Sequence, residues 1–382
     1  MQDAKMKAAA LRDSLKDWLL HRAYPLWWDR GYDHEQGGFH EKLTLEGHPV
    51  DAARRARVQP RQIYCYALAS TLGWDGPADK IIRLGLDLYQ ARYRRPDGLF
   101  RALVSAGGEV LDNSITLYDQ AFALLALATA GTALGTIQQH EQQALALLAT
   151  LRTELRHPVA GFLEPGGDHR QQSNPHMHLF EAAQAWEQVG SDPAWAALVD
   201  EIADMALSYF IDPVSGGLRE FFDAQWQPAA GTDGRIVEPG HQFEWAWLLM
   251  RWGQRRGHTG AVKAGLRLVE IGERHGVDPA RNVACNSLLD DFSIHDNSAR
   301  LWPQTERIKA GVLAAEITGE AEYWRIAADG AAGLLRYLDT PIPGLWFDRM
   351  QADGTLVQEP SPASSFYHIV CAIAELDRVV GQ

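Results

Sequence analysis

A glycine-plus-apolar marker returns along this chain about every 60 residues, and this period constrains the fold more than any other feature. It reads GGF at 37–39, DGLF at 97–100, AGFLE at 160–164, GGLRE at 216–220 and PGLWF at 343–347. The steps from Gly38 to Gly98, Gly161 and Gly217 are 60, 63 and 56 residues, and the next, to Gly344, is 127. That last step is double, so a degenerate unit is expected between, and VDPARNVACNS at 277–287 occupies the place. The count is six.

Between markers, apolar residues at i, i+3, i+4 and i+7 predict paired helices. The pairs are 61–71 with 78–93, 118–133 with 138–156, 175–189 with 193–210, 239–255 with 260–275, and 303–318 with 320–338. A last helix at 363–380 lacks a following partner, and one at 5–22 supplies it, making twelve. Links within a pair are short. Links between pairs are long, carry the marker and contain strand-like runs such as EVLDNS and QADGTL that read as small hairpins. Alternating helices with two classes of link predict an all-α closed toroid of six helix hairpins, an (α/α)6 barrel, formed by residues 1–382 as one domain. An open solenoid would also stack helix pairs. Here, however, the sixfold count closes, and the polar motifs gather at one mouth instead of along a groove. The first helix of each pair is the less charged and belongs inside; the second carries more charge and faces water.

The net charge of −13 repels phosphate backbones and anionic lipid, so neither nucleic acid nor a membrane surface is an expected partner. No uninterrupted apolar run approaches the ~20 residues of a membrane span, and the first twenty residues are charged and amphipathic, unlike a signal peptide. Cys65, Cys285 and Cys371 are odd in number, far apart and set among apolar neighbours, which predicts buried free thiols and a cytoplasmic location.

Chemistry-bearing residues cluster where inner helices begin: RVQPRQIY at 57–64, NPHMH at 174–178, EPGHQFEW at 238–245, RLWPQTE at 300–306 and SSFYH at 364–368. His178, His241 and His368 hold equivalent places in separate units, so a closed ring turns them toward one axis. That is the arrangement of a sugar pocket that works by moving protons. A helix N-terminus disfavours an imidazolium, so His241 is expected to stay neutral, with Glu244 one turn on holding its tautomer. Ser364 and Ser365 read as caps for the last helix. Arg57, Arg61 and Arg235 are candidates to bring positive charge to the mouth. Tyr118 and Asn174 complete the ring, and Trp302 with Glu306 reads as a stacking platform beside a hydrogen-bonding carboxylate. His176 and His178 form H-x-H, but i and i+2 point about 200° apart on a helix, and no Cys cluster or H-E-x-x-H completes a metal site. No metal or cofactor is expected. Two other readings compete: a glycoside hydrolase using two of Asp119, Glu220, Glu244 and Glu306, and a non-catalytic binding toroid.

RVQPRQIYCYA, LYDQAF, NPHMHLFEA, GR-x4-GHQFEWAW, RLWPQTE and SSFYHIV, in this order from Arg57 to Glu375, together resemble the N-acylglucosamine 2-epimerase superfamily, in its mannose isomerase-type branch. The resemblance implies an (α/α)6 barrel that interconverts aldoses and ketoses, or epimerises sugars at C2, without metal or redox cofactor. It makes His241 and His368 the acid/base pair, and Arg61, His178, Arg235, Glu244, Trp302 and Glu306 the lining of the sugar site. The 57–64 segment departs from the W-x-Q-G-R form of the acylglucosamine epimerases, and NPHMH from the THLH-like form of the cellobiose epimerases. Both departures favour an isomerase, with mannose and fructose, or lyxose and xylulose, as the pair. The expected partner is a small monosaccharide, handled by a monomer or homodimer.

Overall fold

The computed structural model describes residues 2–165 and 170–380. Its inner helices are α3 (Val58–Leu72), α5 (Leu117–Leu134), α7 (Ser173–Val189), α9 (Pro239–Arg256), α11 (Trp302–Thr318) and α13 (Ser364–Val380). Outside them lie α4 (Ala78–Tyr93), α6 (Ile137–Glu154), α8 (Ala194–Met205), α10 (Thr259–Ile271) and α12 (Ala321–Leu338). The sixth outer position belongs to α1 (Gln2–Trp18), which runs through a π-turn at Leu19–Ala23 into α2 (Tyr24–Asp29) without leaving right-handed helical backbone. Each inner helix packs on the next, and α13 packs back on α3, which closes the ring; α1 closes the outer layer by lying on α12 and α13. The expected (α/α)6 barrel is the fold.

Burial explains the division of labour. An inner helix touches two inner neighbours and an outer partner, so apolar residues are needed nearly all round it, and α5 is buried from Ala121 to Ala128 without a break. By composition α5 could cross a membrane, yet most of it lies inside the ring. Outer helices such as α12 bury one stripe only. Four inner helices end on a left-handed glycine, Gly73, Gly135, Gly257 or Gly319, which turns the chain at once into the outer helix. The long links at the opposite end carry short antiparallel strands. The most extended pair is Val283–Leu288 with Ile294–Arg300.

The repeated marker has a structural partner. In four units a buried glutamine near the start of the inner helix accepts the N–H of a marker-segment residue and donates to that residue's carbonyl. The pairs are Gln59 with Phe39, Gln120 with Phe100, Gln242 with Leu218, and Gln304 with Ala284. Ala284 lies in the degenerate segment, which is thus a true unit. In the third unit His176 takes the glutamine's place: its Nε2 accepts the Phe162 N–H at 3.0 Å and its Nδ1 lies 3.1 Å from the Gln172 carbonyl. Both nitrogens of His176 are thereby engaged in loop anchoring, whereas His178 turns to the axis; the H-x-H pair does not converge. Cys65, Cys285 and Cys371 are buried free thiols.

Candidate active site

All six inner helices bring residues to one cavity of about 220 Å³ at their N-terminal end: Arg61, Tyr118, Asn174 and His178, His241 and Glu244, Trp302, and Ser364, Ser365 and His368, with Glu238 and Arg300 from the links at its rim. Gly240 allows this closeness on one side, since a Cβ there would stand 2.4 Å from the Trp302 ring. That ring packs against His241 at 5.0 Å and His368 at 5.7 Å between centroids, so one indole sets the attitude of both imidazoles.

The two histidines are held alike and charged differently. His241 Nδ1 lies 2.9 Å from Glu220 and 3.5 Å from Glu238. His368 Nδ1 lies 2.9 Å from Glu306 Oε1. Each Nδ1 therefore carries the proton donated to a carboxylate, and each Nε2 is left to the cavity. Burial disfavours the charged form of His241, but Glu220 and Glu238 more than offset it and push its pKa up to about 10. His368 goes the other way: burial, with the charges of Arg61 and Lys309, holds it well below the ordinary histidine value. At neutral pH one imidazolium and one neutral imidazole face the same space. Environments that push two titratable groups apart in this way mark an acid and a base.

The floor is more acidic than its surroundings allow. His178, pushed down to about 3 chiefly by burial, is neutral, and its Nδ1 stands 3.6 Å from Glu181 and 3.8 Å from Glu244, too far for hydrogen bonds. Neither oxygen of Glu244 has a hydrogen-bond partner among the described residues. Burial and the neighbouring Glu306 raise this carboxyl well above its usual range, which makes it a neutral acid able to donate a hydrogen bond. Arg61 reaches across the ring, donating to the Ser364 carbonyl at 3.1 Å and to the Tyr118 hydroxyl, with Phe122 4.2 Å beneath it.

Several sequence expectations are corrected. Glu220 from the preceding link, not Glu244, orients His241, and the carboxylates around that imidazole outweigh the helix N-terminus that was to keep it neutral. Arg57 pairs with the buried Asp119 at 3.0 Å and does not line the cavity. Arg235 is exposed and bound to Asp290 and Asp291; the arginine at the rim is Arg300, which opens the same motif as Trp302. Glu306 lies fully buried beneath His368 and does not reach the cavity. The Ser365 hydroxyl, expected to cap the helix, instead donates to Asp348 at 2.6 Å. Glu238, Arg300, Glu181 and Lys309 were not singled out. Lys309 was open to discovery, because it stands one turn beyond Glu306 on the same face. A carboxylate pair for glycoside hydrolysis is also spoken for, since Glu220 and Glu306 hold the histidines and Asp119 holds Arg57.

Among the described residues, three groups have donor atoms mutually within 4.8 Å and could grip a cation: His178, Glu181 and Glu244; Glu220, Glu238 and His241; and Glu244, Glu306 and His368. In the last two the histidine Nδ1 is already committed to a carboxylate hydrogen bond at 2.9 Å, which a metal at that atom would have to displace.

The model of the N-acylglucosamine 2-epimerase (GlcNAc 2-epimerase) family matches residues 37–372. The chain belongs to that family. It is 49% identical to a mannose-6-phosphate isomerase of Rhizobium meliloti over 95% of this chain and 96% of that one. It is 21% identical to a cellobiose 2-epimerase of Bacteroides fragilis over 92% and 94%. Among solved structures, a D-mannose isomerase superposes with a TM-score of 0.85 at 19% identity, covering 96% of this chain and 97% of that one. This family member is a sugar isomerase or epimerase.

Proposed function

We propose that the chain is an aldose–ketose isomerase for an unphosphorylated hexose, with D-mannose and D-fructose as the first pair, working through a cis-enediol. The observation that carries the reading is the pairing of a charged His241 with a neutral His368 in one small cavity. Once the ring is open, His368 Nε2 takes the proton from C2 while the His241 imidazolium gives one to O1, and the enediol forms. His368 then returns its proton to C1 as His241 recovers one from O2, leaving the ketose and both histidines as they began. Arg61 and the neutral Glu244 are placed to stabilise charge gathering on the sugar oxygens. The names of two relatives, a mannose-6-phosphate isomerase and a D-mannose isomerase, support isomerisation of a mannose-type sugar.

On phosphate the site supports a different reading from the first of those names. The three arginines just before α3 are each closed by an acid: Arg54 with Asp33 at 2.5 Å, Arg55 with Glu41 at 2.7 Å and Arg57 with Asp119. The rim carries Glu238 beside Arg300, and Arg300 itself faces Asp348 at 3.3 Å. At the rim a dianion would meet Arg300 as one partly neutralised cation. Mannose, lyxose, glucose, cellobiose and mannose 6-phosphate, incubated separately and analysed by chromatography for ketose and C2-epimer, test the proposal. Fructose from mannose at a kcat/KM above that for the phosphate is expected. Turnover of the phosphate alone, or mannose–glucose exchange without ketose, rejects it. The second outcome would mean that His241 returns the proton to the opposite face of C2, the direction suggested by the cellobiose 2-epimerase relative.

A further inference from the structure

Beneath His368 lies a second layer that the proton transfers above do not use. Lys309 follows Glu306 by one turn of α11, and its Nζ stands 2.6 Å from Glu306 Oε2, with the two side chains 1% and 0% exposed. The other oxygen of the same carboxylate accepts from His368 Nδ1. The ammonium also sits 4.1 Å from the Trp247 ring centroid, an aromatic face that substitutes for lost water. Neither Lys309 nor Trp247 lines the sugar cavity.

A buried ammonium is costly, and a buried lysine–glutamate pair is often no more stable than an apolar pair of similar volume, so stability alone is a weak reason for this one. Its consequence for His368 is specific. Burial and the neighbouring Glu181 raise the Glu306 carboxyl, against the lowering effect of Lys309. Without a cation against it, a carboxyl in such a place takes up a proton. A protonated Glu306 can donate to Nδ1 instead of accepting from it. The imidazole would then carry its hydrogen on Nε2, and the atom facing the sugar would have no lone pair.

We propose that Lys309 is a positioning residue: by keeping Glu306 an acceptor, it fixes His368 in the Nδ1–H tautomer and so leaves Nε2 free to take a proton. The ammonium touches neither sugar nor imidazole and acts only through the carboxylate between them. The inference rests on the reading of His368 as the base, but its first readout needs no substrate.

The test is 15N NMR of the His368 ring in the ligand-free protein, with kinetics alongside. The wild type should show the Nδ1–H tautomer. Lys309→Met should show Nε2–H or a mixture, with kcat lowered on the order of 10²–10⁴-fold and KM changed by less than about threefold, since a wrong tautomer removes the chemistry and spares binding. Lys309→Arg keeps the charge and should restore the tautomer and most of kcat. Because Lys309→Met leaves a buried acid without its cation and so puts folding at risk, Glu306→Gln is read as well. There Lys309 holds the amide oxygen, the amide nitrogen faces His368, and the tautomer should invert. A wild-type tautomer in folded Lys309→Met, or a retained Nδ1–H in Glu306→Gln, overturns the proposal. An inverted tautomer in a protein that converts no sugar would leave this inference standing and reject the isomerase reading instead.

Discussion

Glu220 holds the Nδ1 of His241 at 2.9 Å from a link 21 residues upstream, so this imidazole is charged chiefly by a residue outside its own helix. The Glu220 Oε2 atom is shared with the Ser173 hydroxyl at 3.1 Å, which ties it to the start of α7 as well.

Removing this carboxylate should therefore change the alkaline side of the pH profile. In the wild type, kcat/KM is expected to hold across neutral pH and fall as His241 loses its proton near 10. A negative neighbour favours the imidazolium, so Glu220→Gln lowers the His241 pKa and moves the alkaline limb toward neutrality by about a unit or more. An unmoved limb would show that another group sets it.

His241→Ala and His368→Ala should each remove roughly 10²–10⁴-fold of kcat while circular dichroism and melting temperature stay close to wild type. A folded variant of either that retains more than about a tenth of the activity would strip that residue of its role.

Trp302→Ala tests the shared indole. Because the ring packs on both imidazoles, its loss should lower kcat as well as raise KM, and for every accepted sugar alike. A rise in KM alone would mean that the indole binds sugar without setting the histidines.

In D2O, fructose formed from mannose should carry deuterium at C1 in one stereochemical position, with partial return of the original hydrogen from a shielded base. EDTA should leave the rate unchanged. Complete absence of label, with loss on chelation and rescue by a divalent ion, would point to a hydride shift and to one of the histidine–carboxylate groups as its metal site.

His176 predicts a stability effect without a kinetic one. Burial depresses it to about 4, so the folded state refuses a proton that the unfolded chain accepts from about 6.5 downward. The stability it contributes is full above 6.5 and lost as the pH falls toward 4, by up to ~3 kcal/mol. His176→Gln, which restores the side chain used by four other units, should flatten that acid loss and leave kcat intact. Denaturant melts of both proteins between pH 4 and 7 decide it.

The ring could be read from the sequence because helix period and marker spacing are local signals, the marker returning five times and the helix pair six, and repetition averages out local noise. His178, His241, Trp302 and His368 were legible for the same reason, each standing at a helix start whose direction the barrel dictates. What escaped reading was pairing across units. Nothing near Arg235 says that Asp290 and Asp291 come round to meet it, nor near Arg57 that Asp119 does, so both looked available to a ligand. Glu244 appeared to be the partner of His241 because the two share a helix face. The actual partner, Glu220, arrives by way of a loop whose path depends on Gln242 anchoring Leu218.

The seam between α13 and α3 bears on how this protein comes into being. Arg61 meets Ser364 across 303 residues, and His368 enters with the same final inner helix. At ~5–20 residues per second of synthesis, the first inner helices wait on the order of tens of seconds for the base that completes their pocket. Until α13 is made the ring has no closing helix, and α3 has no neighbour on that side.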